Sequence, residues 1–225
     1  MSVLSNYQYL THYWPICDAT MLDVIGSSNM IQGNLTSFTS DRFNNPNSAL
    51  ALNGGWTQVP SGIYFNTPEF TISVWVYPQQ VVNNSRIIDF GNGQAADNIG
   101  LTLSSGTALS PYLFIFNGSV KIFVAISSRT LTLNSWQFLV ATFNGTNSFV
   151  YLNGTLTKQY NQSFSLPTLN RTKCFIGKSN WNEDRASYSY LDELRLYNKS
   201  LTHTEIIELM NQNSTMGKMI FSVKF

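Results

Sequence analysis

Chemistry in this chain would have to come from a small set of ionisable side chains. Carboxylates stand side by side at Glu183-Asp184 and at Asp192-Glu193. Glycoside hydrolysis needs two carboxyls flanking one bond. Adjacent residues of a strand point to opposite faces, so neither pair can do this. His12 and His203 are the only histidines, and His203 falls inside a helix-capping pattern, so a Ser-His-Asp arrangement has no support. Cys17 and Cys174 have no metal-type spacing, and zinc is not expected. Catalysis is therefore not expected. Trp56 and Trp181 lie among Gly, Asn and Asp in predicted loops, where an indole can stack on a sugar ring or anchor a protein partner. Loop tryptophans also fold back as lids over a sheet edge.

The elements that must position these residues read as β-structure. Runs rich in Val, Ile, Phe, Tyr and Trp recur between Asn, Gly, Ser and Pro, and no amphipathic helix starts before residue 202. From Trp136 to Tyr160, Asn-Gly pairs at 144–145 and 153–154 connect three strands into an antiparallel meander. A further hairpin turns at Asn117-Gly118. The segment TISVWVYP is apolar on both faces, Ile72, Val74 and Val76 opposite Trp75 and Tyr77, which predicts an inner strand. Trp14, Trp75 and Trp136 are read as core. Thr202-x-x-Glu205 ahead of Ile206, Leu209 and Met210 is a capping box for one short C-terminal helix. The expected organisation is an N-terminal extension over 1–9, one all-β domain over 10–211, and a tail, final strand or linker over 212–225. In YLDELRLY, strict alternation puts Asp192 on the face of Leu194 and Leu196, hence in the core. A buried carboxylate needs donors, a cation or a metal. The favoured partners are backbone N–H groups of the first strand's turn; a metal ion is the alternative.

The 225 residues are 43% hydrophobic but only 11% charged, with 13 basic residues against 12 acidic ones. That balance, without a basic cluster, excludes a nucleic-acid footprint and an anionic-membrane patch. No apolar run is long enough for a spanning helix, so membrane insertion by this segment is not expected. Asn-x-Ser/Thr sequons begin at Asn34, Asn83, Asn117, Asn144, Asn153, Asn161, Asn170, Asn198 and Asn213. Chance predicts about five for this composition, and the excess points to a secreted or cell-surface origin within a longer protein. In that oxidising setting Cys17 and Cys174 would join in a disulfide closing a loop of about 157 residues. Two buried thiols are the alternative.

Five segments, taken in order, resemble the laminin G-like and pentraxin-like branch of the concanavalin A-like lectin/glucanase superfamily. HYWPICDATMLDVIG is similar to its first strand and Asp-containing turn, with Asp23 and Gly26 at turn positions. ALALNGGWTQVPSG resembles the segment before the first long strand, and FTISVWVYP that strand itself. SWQFLVATFNGTNSFVYLNG resembles the family's meander, and FIGKSNW with YLDELRLYNKSLTHTEI its closing signature. The resemblance spans about residues 10 to 210. It implies a two-sheet antiparallel jelly-roll β-sandwich with ligand-binding loops along one rim. The Glu-x-Asp-x-Glu arrangement of the family's glucanases is missing. Calcium is the cofactor the resemblance suggests, held on a rim by hard oxygen ligands. The matching loops offer Asp97 and Asn98 in GNGQAADN, and Asn182, Glu183 and Asp184 in NWNEDR. The expected metal ligands are thus Asp97, Asp184 and Asp192, and the expected ligand-binding residues Trp56, Trp181, Asn98 and Asn182. The expected function is an extracellular recognition module for a glycan, or an architectural domain that contacts an extracellular protein.

Overall fold

A computed structural model describes residues 7–212. The tail after Gln212, including the sequon at Asn213, lies outside the described residues. After a 3-10 turn at Tyr7–Tyr9 the described residues form thirteen strands and one helix. They are β1 (Leu10–Trp14), β2 (Ile31–Thr39), β3 (Ala49–Val59), β4 (Phe70–Pro78) and β5 (Arg86–Gly91). Next come β6 (Ile99–Thr102), β7 (Tyr112–Asn117), β8 (Val120–Ile126), β9 (Gln137–Phe143) and β10 (Asn147–Leu152). The last are β11 (Thr155–Asn161), β12 (Lys173–Ile176), β13 (Ser187–Tyr197) and helix α1 (His203–Met210).

All strand pairs are antiparallel, in the order β11-β10-β9-β4-β13-β3-β12-β5-β6-β7-β8, with β1 on β13 and β2 on β3. This hydrogen-bonded path is continuous and folds back on itself, so that β10 and β11 approach β8. The enclosed space holds the main core: Ile72, Val74 and Val76 from β4, Leu139, Ala141 and Phe143 from β9, and Leu113 and Ile115 from β7. Each such side chain contributes roughly 1.5–3 kcal/mol on full burial. A second cluster lies on the other face of β4 and β9. There α1 supplies Ile206 and Leu209 against Tyr13, Phe138, Val140 and Tyr197.

The local signals behave as their chemistry demands. The meander forms as β9, β10 and β11, with Asn153 and Gly154 at φ 48° and 74° in the tight turn. Asn144 Oδ1 accepts from the Asn147 and Thr146 amides, so this asparagine serves the backbone. Strand β4 lies between β9 and β13, the inner position that its two apolar faces predicted. Both halves of the capping box are present, Thr202 taking the Glu205 amide and Glu205 the Thr202 amide, a motif worth about 1 kcal/mol.

Several expectations need correction. ALALNGGWTQV is itself an eleven-residue strand, β3, so Trp56 belongs to a strand and not to a loop. Trp75 and Trp136 are half-buried on the outer side of the sheet, and of the three expected core tryptophans only Trp14 is fully buried. Asp192 is buried, but not beside Leu194 and Leu196. Between Asp192 and Arg195 the register on β4 slips by one residue, with Glu193 at φ 57°. This β-bulge reverses the alternation. Leu191, Leu194 and Leu196 enter the main core, while Asp192 lies opposite Trp75 and pairs with Arg42 at 2.7 Å. Asp23 is the carboxylate that ties the first strand's turn, accepting the amides of Tyr13, Gly26 and Ser28 at 2.9 Å each. No disulfide joins Cys17 to Cys174; both are buried thiols. Cys17 lines a small space with Asp41, Ser48 and Asp192, whereas Cys174 stands on β12 between Val59 and Phe90, and its thiol donates to the Arg171 carbonyl.

Candidate functional site

Strand β7 alternates strictly. Leu113 and Ile115 enter the core, while Tyr112, Phe114 and Phe116 form a ladder of rings on the opposite face. Phe114 lies across Gly100 of β6, its cross-strand partner, where a Cβ would overlap the ring. Trp181, in the loop after β12, meets this ladder from above. Its ring centroid is 6.0 Å from that of Phe114 and 5.4 Å from that of Phe116. The result is an open cleft of about 430 Å³. Phe114 and Phe116 floor it, Trp181 walls it, and Asn83, Lys121 and Glu183 stand exposed at its rim.

Polar groups of the cleft are held in place. Asp184 accepts from Arg86 Nη2 at 2.9 Å, Ser179 Oγ at 2.8 Å and Asn84 Nδ2 at 3.2 Å. The Arg86 guanidinium also lies over the rings of Phe114 and Trp181, at 5.1 and 5.6 Å. Behind it Asp89 is fully buried and accepts the Asn180 amide at 2.9 Å and Asn98 Nδ2 at 2.8 Å. Burial pushes the Asp89 carboxyl above the usual range, and Arg86 and the Asn180 and Asn98 donors only partly offset this. The Tyr112 phenol is likewise raised by burial, against the pull of Arg86. A cleft of this kind presents apolar ring surface beside fixed donors and acceptors, and a polyhydroxyl ligand can use both.

Of the expected site residues, Trp181 and Asp184 line the cleft, and exposed Asn182 adjoins them in the same loop. Asn98 is fully buried and braces Asp89 instead of facing solvent. Trp56 is elsewhere, edge-on to Phe175 with Lys178 Nζ 4.5 Å above its ring. Asp97 closes a loop, its Oδ1 accepting the Gly118 amide at 2.6 Å. The three aspartates expected to hold calcium are thus apart, engaged by Gly118 (Asp97), Arg86 (Asp184) and Arg42 (Asp192). Among the described residues no group of three or more His, Cys, Asp or Glu gathers for a metal. Arg86, Asn84 and the β7 rings were missed. For the rings, PYLFIFN places an aromatic at every second residue, a pattern that marks one face of the strand without saying that this face meets a cleft.

Residues 52–207 match the family described as the concanavalin A-like lectin/glucanases superfamily, laminin G type, and the chain belongs to it. Botulinum neurotoxin type X of Clostridium botulinum is 26% identical over 156 residues, covering 64% of this chain and 11% of the toxin. This chain therefore corresponds to a small part of that relative. Domain 4 of AbnA, an extracellular GH43 arabinanase from Geobacillus stearothermophilus solved with arabinotriose, is 17% identical with a TM-score of 0.77. That match covers 90% of this chain and 98% of the domain. A structure of botulinum neurotoxin type C, whose cell entry depends on two ganglioside molecules, is 14% identical with a TM-score of 0.68. It is covered to 51%, and this chain to 92%. The binding domain of botulinum neurotoxin DC in complex with rat synaptotagmin II is 15% identical, with a TM-score of 0.68, 92% of this chain and 52% of that one being covered. At these identities the structural likenesses bear on the fold.

Proposed function

We propose that this chain is a non-catalytic carbohydrate-binding module, a jelly-roll sandwich acting outside the cell, and that an oligosaccharide lies in the cleft beneath Trp181. One observation carries this reading. Trp181, half-buried over Phe114 and Phe116, shares an open cleft with the fixed Arg86–Asp184 pair. A sugar ring offers C–H groups to an indole and hydroxyls to a carboxylate and a guanidinium, and the cleft has both kinds of partner. Support comes from the neighbour of nearly equal length, which was solved with arabinotriose. The neighbour bound to synaptotagmin II favours a second reading, a protein-docking domain. Titration of the parent and of Trp181→Ala with arabinotriose and a panel of neutral oligosaccharides, followed by calorimetry, separates the two. The expected result is saturable binding of at least one sugar, weakened about tenfold or more in the variant. Silence across the panel, or a variant that binds like the parent, would overturn the carbohydrate reading.

A further inference from the structure

The outer face of β4 and β13 is finished differently at its two ends. At one end α1 and the N-terminal segment cover it with Tyr13, Tyr197, Ile206 and Leu209. At the other end Tyr77 of β4 and Tyr190 of β13, direct cross-strand partners, stack with centroids 5.2 Å apart and planes 15° apart. Trp136, just before β9, meets Tyr77 edge-on at 5.6 Å and Tyr190 at 6.5 Å. All three rings are half-buried.

This group is held firmly and left open. The Asn134 amide donates to the Pro78 carbonyl at 2.8 Å, which clips the turn before Trp136 to the end of β4. Gln79 Nε2 donates to the Tyr190 hydroxyl at 2.9 Å, and the Gln79 amide donates to the Tyr188 carbonyl. Several aromatic groups elsewhere have a cation beside a ring, Lys178 at Trp56 and Phe175, Arg42 at Trp75 and Arg86 at Trp181. Among the described residues no cation lies over Tyr77, Trp136 or Tyr190. The polar neighbours, Gln79, Gln80, Asn134 and Ser135, are uncharged. One step along the face, Arg42 and Asp192 neutralise each other at 2.7 Å.

We infer that Tyr77, Trp136 and Tyr190 form a second saccharide-binding surface, on strands other than those of the cleft, that stacks on neutral sugar rings. The charge pattern selects the ligand class. Rings without a bound cation, edged by amides and hydroxyls, match a neutral polyhydroxyl chain and offer nothing to a carboxylate or a phosphate. An open face also suits a polymer that runs across it better than a short sugar that must be enclosed. The inference shares the saccharide class with the cleft reading but rests on different residues, so each can fail alone.

Affinity electrophoresis in gels containing debranched arabinan, galactan, xyloglucan or soluble cellulose derivatives tests it, with the parent, Trp136→Ala, Trp136→Phe and Trp181→Ala. Matching circular dichroism and melting curves establish that the variants fold. At least one polysaccharide is expected to retard the parent, with Trp136→Ala raising the apparent Kd about tenfold. Trp136→Phe, which keeps a ring, should recover part of the loss. Retardation lost in Trp136→Ala but kept in Trp181→Ala supports this surface and counts against the cleft. The opposite pattern supports the cleft and overturns this inference. It is also overturned if no polysaccharide in the panel is held through Trp136, including the case in which none retards the parent.

Discussion

Two regions of the molecule are built from the same parts, an arginine, a carboxylate and aromatic rings, and differ in their access to water. On β13, Arg195 pairs with Glu193 and donates to the Tyr13 hydroxyl at 3.1 Å, while Tyr13 donates to Glu193 at 2.6 Å. All three are buried. Burial drives the Tyr13 phenol far above its ordinary value. Burial alone would lower the Arg195 guanidinium, but Glu193 beside it raises it overall. In the cleft, Arg86 and Asp184 also pair, at 2.9 Å, yet exposed Lys121 and Glu183 stand at its edge. The closed group can only hold the fold together, because nothing reaches it. In the open one the side chains of the pair and the β7 rings are also buried, but half-buried Trp181 and exposed Asn83, Lys121 and Glu183 stand over them within a ligand's reach.

The sharpest way to break this comparison is Glu193→Ala, which leaves a buried guanidinium without its carboxylate. A loss of about 3–5 kcal/mol of unfolding free energy in urea is expected; a loss under about 1 kcal/mol would mean the network is not structural. Gly100→Ala acts on the open region, since the new methyl must displace Phe114. Overpacking of about 1–3 kcal/mol is expected, together with weaker oligosaccharide binding, whereas unchanged calorimetric affinity would detach the β7 ladder from recognition. Acid offers a finer test of the closed elements. Burial tends to raise the Asp23 carboxyl, but His12 and the amides of Tyr13, Gly26 and Ser28 outweigh it and hold it below the ordinary aspartate value. Its contribution is therefore fully present above the ordinary aspartate value and lost as pH falls through the lowered one. Melting curves of the parent should drop in that window, and Asp23→Asn, destabilised at neutral pH, should show a shallower drop. The smallest effect concerns calcium: millimolar calcium should leave the melting temperature unchanged, and a rise of several degrees would mean that Asp97, Asp184 or Asp192 rearranges to bind it.

Much of the fold was legible because turn chemistry and periodicity are local. The Asn-Gly turns at 144 and 153, the two-faced β4 and the Thr202–Glu205 box all form as the residues require. The failures have non-local causes. Asp192 was placed by an alternation that the bulge at Glu193 interrupts, and a bulge depends on the partner strand. Trp56 looked like a loop residue because Gly54 and Gly55 precede it, although those glycines admit close approach of Tyr188 and of β2 within a continuous strand. The cleft was half visible. Trp181 and Asp184 stood out as an indole and a carboxylate in a polar loop. Tyr112, Phe114 and Phe116 were concealed because a strand with apolar residues on both faces does not announce which face stays near water.

Backbone amide mapping tests the central claim most directly: 15N-labelled protein is titrated with the tightest-binding neutral oligosaccharide of the calorimetric panel. Shifts that saturate together at Asn84, Phe114, Phe116, Lys121 and Trp181 are the predicted result. Shifts confined to other parts of the surface, or none at saturating sugar, would contradict it.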